Sequence, residues 1–128
     1  MLNLVVKGNM DYYSNSIFTD LYISGFGRVF FAFSNDKQKV AIKKMSHTTE
    51  KEILSNLSET GFLMLFKHPN IVRYICGYRV KREIWLVMEF MEGGTLTEAV
   101  KGHDFKEPQI AYVAKEVNHL IKKKKTLK

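Results

Sequence analysis

The segment IWLVMEFMEGGTLTEA, Ile84 to Ala99, holds the most information in this chain. It opens on five apolar residues, places Glu89 inside an otherwise apolar run, breaks at Gly93–Gly94 and restarts at Thr95. Thr95-Leu96-Thr97-Glu98 has the S/T-x-x-E spacing of a capping box, in which the hydroxyl and the carboxylate each satisfy a free amide of the first helical turn. The segment is therefore predicted to be a buried strand, a tight turn and a helix start. It raises the question of why a strand should carry a carboxylate near its end.

Working backwards, NIVRYICGYRV and EIWLVMEF read as two strands around the charged turn Lys81–Arg82. Thr49-Glu50-Lys51-Glu52 is another capping box, followed by Ile53, Leu57, Gly61 and Met64 at helical spacing, with Pro69 closing the segment. Upstream, IFTDLYIS, RVFFAFS and KVAIKKM are β-branched and aromatic runs. They are separated by a glycine-containing turn and by NDKQ, and are spaced as an antiparallel meander. Downstream, Ile110, Val113, Ala114, Val117, Leu120 and Ile121 form one apolar stripe on a last helix. The expected order is three strands, a helix, two strands, a short helix and an amphipathic helix, an α+β arrangement with a five-stranded antiparallel sheet.

Composition narrows the function classes. A chain of 128 residues that is 45% apolar can bury a core, and length alone suggests one domain. The net charge is +7, but five lysines lie within the last seven residues, and the remainder carries +2. Basicity is thus a property of the end of the chain, which argues against a nucleic-acid-binding face. No apolar run approaches a membrane span and no signal-peptide pattern opens the chain, so neither membrane nor secretion is expected and a cytoplasmic location is. A single cysteine, Cys76, and four scattered histidines offer no metal-ligand spacing.

Lys43 lies on the third strand, which must bury one face. Alone it reads as a side chain that buries its stem and keeps its ammonium at the sheet rim. Its neighbours point to phosphate chemistry: a turn with little side-chain bulk before it, and a glutamate-rich helix after it whose carboxylate could hold the ammonium. Glu52 and Glu59 lie seven residues apart on one face of that helix, and either could serve.

Taken together, GFGRVFFA, VAIKKM, HPNIVRY and EIWLVMEFMEGGTLTEAV resemble the N-terminal lobe of a eukaryotic Ser/Thr protein kinase. MEGGTLTEAV followed by EPQIAYVAKEV is most similar to the PAK-like kinases of the sterile-twenty group. The resemblance implies an extension over residues 1–16, a partial kinase domain over 17–121 comprising N-lobe, hinge and first C-lobe helices, and a basic tail over 122–128. It implies ATP as cofactor, with Lys43 on its α- and β-phosphates and Glu59 as the lysine's partner, Glu52 being the alternative. Met88 corresponds to the gatekeeper. The Glu89 carbonyl and the Met91 amide and carbonyl correspond to the adenine contacts. Leu21, Val29 and Ala41 correspond to the apolar lid over the base. Leu63 and Tyr74 match the upper half of the apolar column that joins kinase lobes.

Two departures shape the expectation. In the kinase pattern GxGxxGxV the glycine places fall on Tyr22, Ser24 and Gly27, leaving Gly25 and Gly27 to approach phosphate. No HRD or DFG tripeptide occurs, so the base and the metal ligands of a kinase are missing from these residues. The expectation is a kinase truncated after its N-terminal lobe, binding ATP weakly with no metal site and without phosphotransfer. The alternative is a non-catalytic lobe fragment, either a degenerate remnant or a module that binds protein partners through its exposed last helix.

Overall fold

In the computed structural model, residues 19–24 and 27–126 are described. The expected extension over 1–16 and the loop glycine Gly25 lie outside them. The chain divides into two compact units, Met1–Met91 and Glu92–Lys128.

The first unit contains β1 (Thr19–Ser24), β2 (Gly27–Phe33), β3 (Lys39–Ser46), α1 (Glu50–Leu65), β4 (Tyr74–Val80) and β5 (Glu83–Glu89). All five strands join one antiparallel sheet in the order β1-β2-β3-β5-β4. The chain thus leaves β3 through α1 to form the edge strand β4, and β5 returns between them. Turn chemistry explains both hairpins. Between β2 and β3, Lys37 takes a φ of 60°, and the buried Ser34 accepts the Gln38 amide on its hydroxyl at 3.0 Å. Between β4 and β5, Lys81 takes a φ of 54° in a two-residue loop, Val80 pairing directly with Glu83.

The alternation of β3 divides the core between two sheet faces. Val40 and Ile42 join Ala32, Tyr78 and Val87 on one face. Met45 joins Ile84 and Leu86 on the other, with Leu63 of α1, Tyr74 and Met88 packed against them. Full burial of side chains such as Ile42, Leu86 and Val87 contributes about 1.5–3 kcal/mol each.

α1 starts where its sequence predicts. The Thr49 hydroxyl accepts the Glu52 amide at 3.3 Å, and a Glu52 carboxylate oxygen accepts the Thr49 amide at 3.0 Å. Its buried face differs from the expected one. Met64, expected inward, is 42% exposed, and a Cβ added at Gly61 would meet nothing within 4 Å. The fully covered helix positions are Asn56 and Thr60, both polar. The other stripe positions, Ile53, Leu57 and Gly61, are half-buried, and Leu63 packs on the core.

The second unit contains α2 (Leu96–Gly102) and α3 (Glu107–Thr126). Thr95 and Glu98 cap α2 reciprocally, and Gly94 before them needs its freedom: its φ is 72° and a Cβ would lie 2.8 Å from a Glu98 carboxylate oxygen. Ile110, Val117 and Ile121 of α3 are each at least half exposed. The helix continues through the lysine run, expected as a tail, to Thr126. Lysine is a good helix former, and cations are favourable near a helix C-terminus. No helix among the described residues is long and apolar enough to cross a membrane.

Candidate functional site

Strand register assembles the site. Val29 pairs with Lys43, Lys43 with Leu86, and Ala41 with Met88. Cross-strand partners share a face, so Val29, Ala41, Lys43, Leu86 and Met88 present one continuous surface, with the small Ala41 at its centre. Phe31, the register partner of Ala41, meets Phe33 and Phe90 edge-on with ring centroids 5.0 and 4.8 Å apart. This aromatic cluster beside the site was not singled out in the sequence, where Phe31 and Phe90 look like ordinary strand residues.

Across this face comes α1. The Lys43 ammonium donates to both Glu59 carboxylate oxygens, at 2.7 and 2.9 Å. The pair is well covered, with side-chain exposures of 14% for Lys43 and 34% for Glu59. Glu52 takes no part. One of its carboxylate oxygens accepts the amides of Thr48 and Thr49 and the Thr48 hydroxyl, at 3.0, 3.0 and 2.8 Å. These bonds, the Thr49 amide first, hold its carboxyl down at about 2, below its usual 4.5. The choice left open by spacing is thus decided by bonding: one glutamate caps the helix and the other meets the lysine.

Glu89 ends β5. Its carboxylate accepts the Arg73 amide at 2.7 Å, and its own amide donates to the Arg73 carbonyl at 3.0 Å. The carboxylate in the apolar run therefore clamps the chain just before β4, near a register shift between Tyr74 and Cys76. Arg73 is a further residue that sequence reasoning missed, since nothing local marks its backbone as a partner of Glu89. Met91 beyond is 61% exposed.

The lid positions differ from one another. Val29 is half-buried and Ala41 buried, whereas Leu21 is 47% exposed and lies at an irregularity in the β1–β2 pairing. Gly27 has a φ of 133°, and a Cβ there would lie 2.4 Å from the Lys44 carbonyl oxygen. Its glycine is required by the close approach of β3.

The foot of α1 borders a cavity of about 550 Å³ lined by Leu63, Phe66, Ile71, Arg73, Tyr74 and Glu89. Burial, then the neighbouring Cys76, pushes the Tyr74 hydroxyl above its ordinary value. Among the described residues, no group of three or more His, Cys, Asp or Glu could hold a metal ion.

The small side chain of Ala41 and its register partner Met88 thus lie on the same sheet face as the Lys43–Glu59 ion pair. The family profile described as protein kinase domain matches residues 23–123. The chain is 55% identical over 92 residues to a probable serine/threonine-protein kinase, mkcC, of Dictyostelium discoideum, covering 71% of this chain and 10% of that protein. It is 45% identical over 83 residues to serine/threonine-protein kinase pak-2 of Caenorhabditis elegans, covering 63% of this chain and 16% of that protein. It is 41% identical over 97 residues to serine/threonine-protein kinase pakA of Dictyostelium discoideum, covering 73% and 8%. The chain thus spans a small fraction of the length of each relative. With an N-lobe sheet, a lysine–glutamate pair joining sheet and helix, and a family match over most of its length, the chain belongs to the protein kinase domain family.

Proposed function

We propose that these residues form the nucleotide-binding lobe of a PAK-like Ser/Thr protein kinase. The observation that carries this reading is the bidentate Lys43–Glu59 pair, on the sheet face where Ala41 and Met88 pair across β3 and β5. The PAK-like assignment is supported by MEGGTLTEAV and by the relatives named pak-2 and pakA.

When bound, ATP supplies a transferable γ-phosphoryl group. Each residue contributes a separable part to holding it. Val29, Ala41 and the exposed Leu21 cover the base, and Met88 limits how deep it sits. The Glu89 carbonyl and the Met91 amide and carbonyl meet the adenine edge, Glu89 being held in place by Arg73. Lys43, steadied by Glu59, attracts the α- and β-phosphates, and Gly25 and Gly27 give them room. Glu59 is already spent on Lys43, and the sequence contains no HRD or DFG, so nothing assigned to this site grips Mg²⁺ or accepts a substrate proton. Binding is therefore expected to be weak and nearly independent of Mg²⁺, and phosphate transfer by these 128 residues absent.

Calorimetric titration with ATP, with and without Mg²⁺, alongside an assay of phosphate incorporation into a generic Ser/Thr substrate, tests the reading. Weak Mg²⁺-independent binding without incorporation supports it. Tight Mg²⁺-dependent binding overturns the account of the metal, and no binding overturns the nucleotide site.

The exposed apolar residues of α3 favour a second reading, a lobe that docks on a protein partner through Ile110, Val117 and Ile121. Retained partner binding by a Lys43→Met variant separates this from a role that depends on nucleotide.

A further inference from the structure

We infer that Asn56 is a positioning residue for the Lys43–Glu59 pair: its carboxamide latches α1 to the end of β3 and sets the roll of the helix that presents Glu59. The inference rests on the reading of Lys43 as a phosphate-binding lysine. Asn56 is 7% exposed, and its Nδ2 donates to the Ser46 carbonyl at 2.6 Å. A carbonyl can only accept, so the amide orientation is determined by chemistry. The same nitrogen lies 3.3 Å from His47 Nδ1, which accepts when the ring is neutral and its proton sits on Nε2.

The placement matters more than the single bond. Asn56 stands one turn before Glu59 on α1, and Ser46 stands three residues after Lys43 on β3. The same two elements are therefore tied twice. A helix held at one point can roll about it, whereas a helix held at two cannot. Side-chain tips lie roughly 5–6 Å from a helix axis, so a roll of about 30° moves a carboxylate about 3 Å, enough to break a contact of 2.7 Å.

Packing at this end of the helix is incomplete. A cavity of about 440 Å³ opens between the end of β3 and α1, lined by Met45, Ser46, Glu52, Asn56 and Glu59 among others. The capping box at Thr49 fixes where the helix begins, and Leu63 touches the apolar cluster a full turn beyond Glu59. One turn from Asn56, Thr60 is fully buried with no hydrogen-bond partner for its hydroxyl. The helix thus turns a polar side to the sheet even where a polar group gains nothing, as expected if the latch and the ion pair set its roll and Thr60 follows.

The test uses the full chain carrying Asn56→Leu, with Thr60→Val as a control that alters the same buried face without touching the latch. Three quantities are read: affinity for ATP, affinity for adenosine, and the labelling rate of Lys43 by an amine-directed reagent followed by mass spectrometry. Asn56→Leu is expected to weaken ATP binding about tenfold, the size of one hydrogen bond to a charged group, with adenosine affinity unchanged. It should also expose Lys43 to faster labelling and add nothing to the effect of Glu59→Gln. Thr60→Val should leave all three at wild-type values. Equal weakening of ATP and adenosine, or unchanged Lys43 labelling in Asn56→Leu, overturns the inference. If the wild-type chain binds neither ligand, the nucleotide reading fails, and the labelling rate alone still decides whether Asn56 positions the pair. If Asn56→Leu does not fold, Asn56→Ser, which is too short to reach Ser46, is judged by the same outcomes.

Discussion

Arg73 and Glu89 grip each other through backbone and side chain together: the Arg73 amide donates to the Glu89 carboxylate at 2.7 Å, and the Glu89 amide donates to the Arg73 carbonyl at 3.0 Å. The guanidinium adds only a loose contact, its Nε 3.8 Å from the other carboxylate oxygen and largely in solvent. Removing the carboxylate should therefore matter through the amide bond. Glu89→Ala is expected to cost about 1 kcal/mol in urea unfolding and to speed hydrogen exchange at Arg73. Glu89→Gln keeps an acceptor oxygen and should stay near wild type. Equal loss in both variants would assign the effect to charge.

Lys43→Met and Glu59→Gln separate base binding from phosphate binding. Both should weaken ATP affinity while leaving adenosine affinity intact, because neither side chain is among those assigned to the base. Glu59→Gln should also lower stability, since it leaves a mostly buried ammonium without a countercharge. Isothermal titration with the two ligands checks the split, and thermal unfolding checks the second effect.

The glycines give a sharp contrast. Gly27→Ala forces a Cβ to within 2.4 Å of the Lys44 carbonyl oxygen at a φ of 133°, and should destabilise by more than about 1 kcal/mol. Gly93→Ala meets nothing within 4 Å and should be neutral or slightly stabilising. Differential scanning calorimetry of the two variants tests the pair.

Stability should fall with acid in two stages. Burial first, then Arg79, lower the His47 pKa from 6.5, with Glu52 opposing. The unfolded chain then takes up this proton before the folded one, so the His47 contribution is complete above pH 6.5 and is lost as pH falls below it. Glu52 is held at about 2 against 4.5, so its contribution is present above pH 4.5 and is lost as pH falls toward 2. Urea midpoints measured from pH 8 to pH 2 should show both declines. His47→Gln should remove the first, and Glu52→Gln the second.

If the apolar residues of α3 meet a partner or a second copy, Val117→Glu should reduce association in sedimentation or size-exclusion measurements and leave the nucleotide affinity of the first unit unchanged. A monomer with unchanged elution in both forms would remove that surface from consideration.

The sequence by itself determined the features that close within a few residues. Both capping boxes, the turns at Lys37 and Lys81, the five strands and the last helix follow from hydroxyls, carboxylates and apolar periods acting on their own neighbours. The pairing of Lys43 with Glu59 was narrowed to two glutamates by helix geometry and to one by resemblance. Tertiary structure decided the rest. It inserted β5 between β3 and β4, buried Asn56 and Thr60 while leaving Met64 exposed, and gave Glu89 a partner sixteen residues earlier. It also required glycine at position 27 because a carbonyl from β3 passes beside it. Each of these depends on a group brought close by the folding of distant segments. A helix stripe states which side chains prefer burial, but which of them are covered depends on the segments folded against the helix.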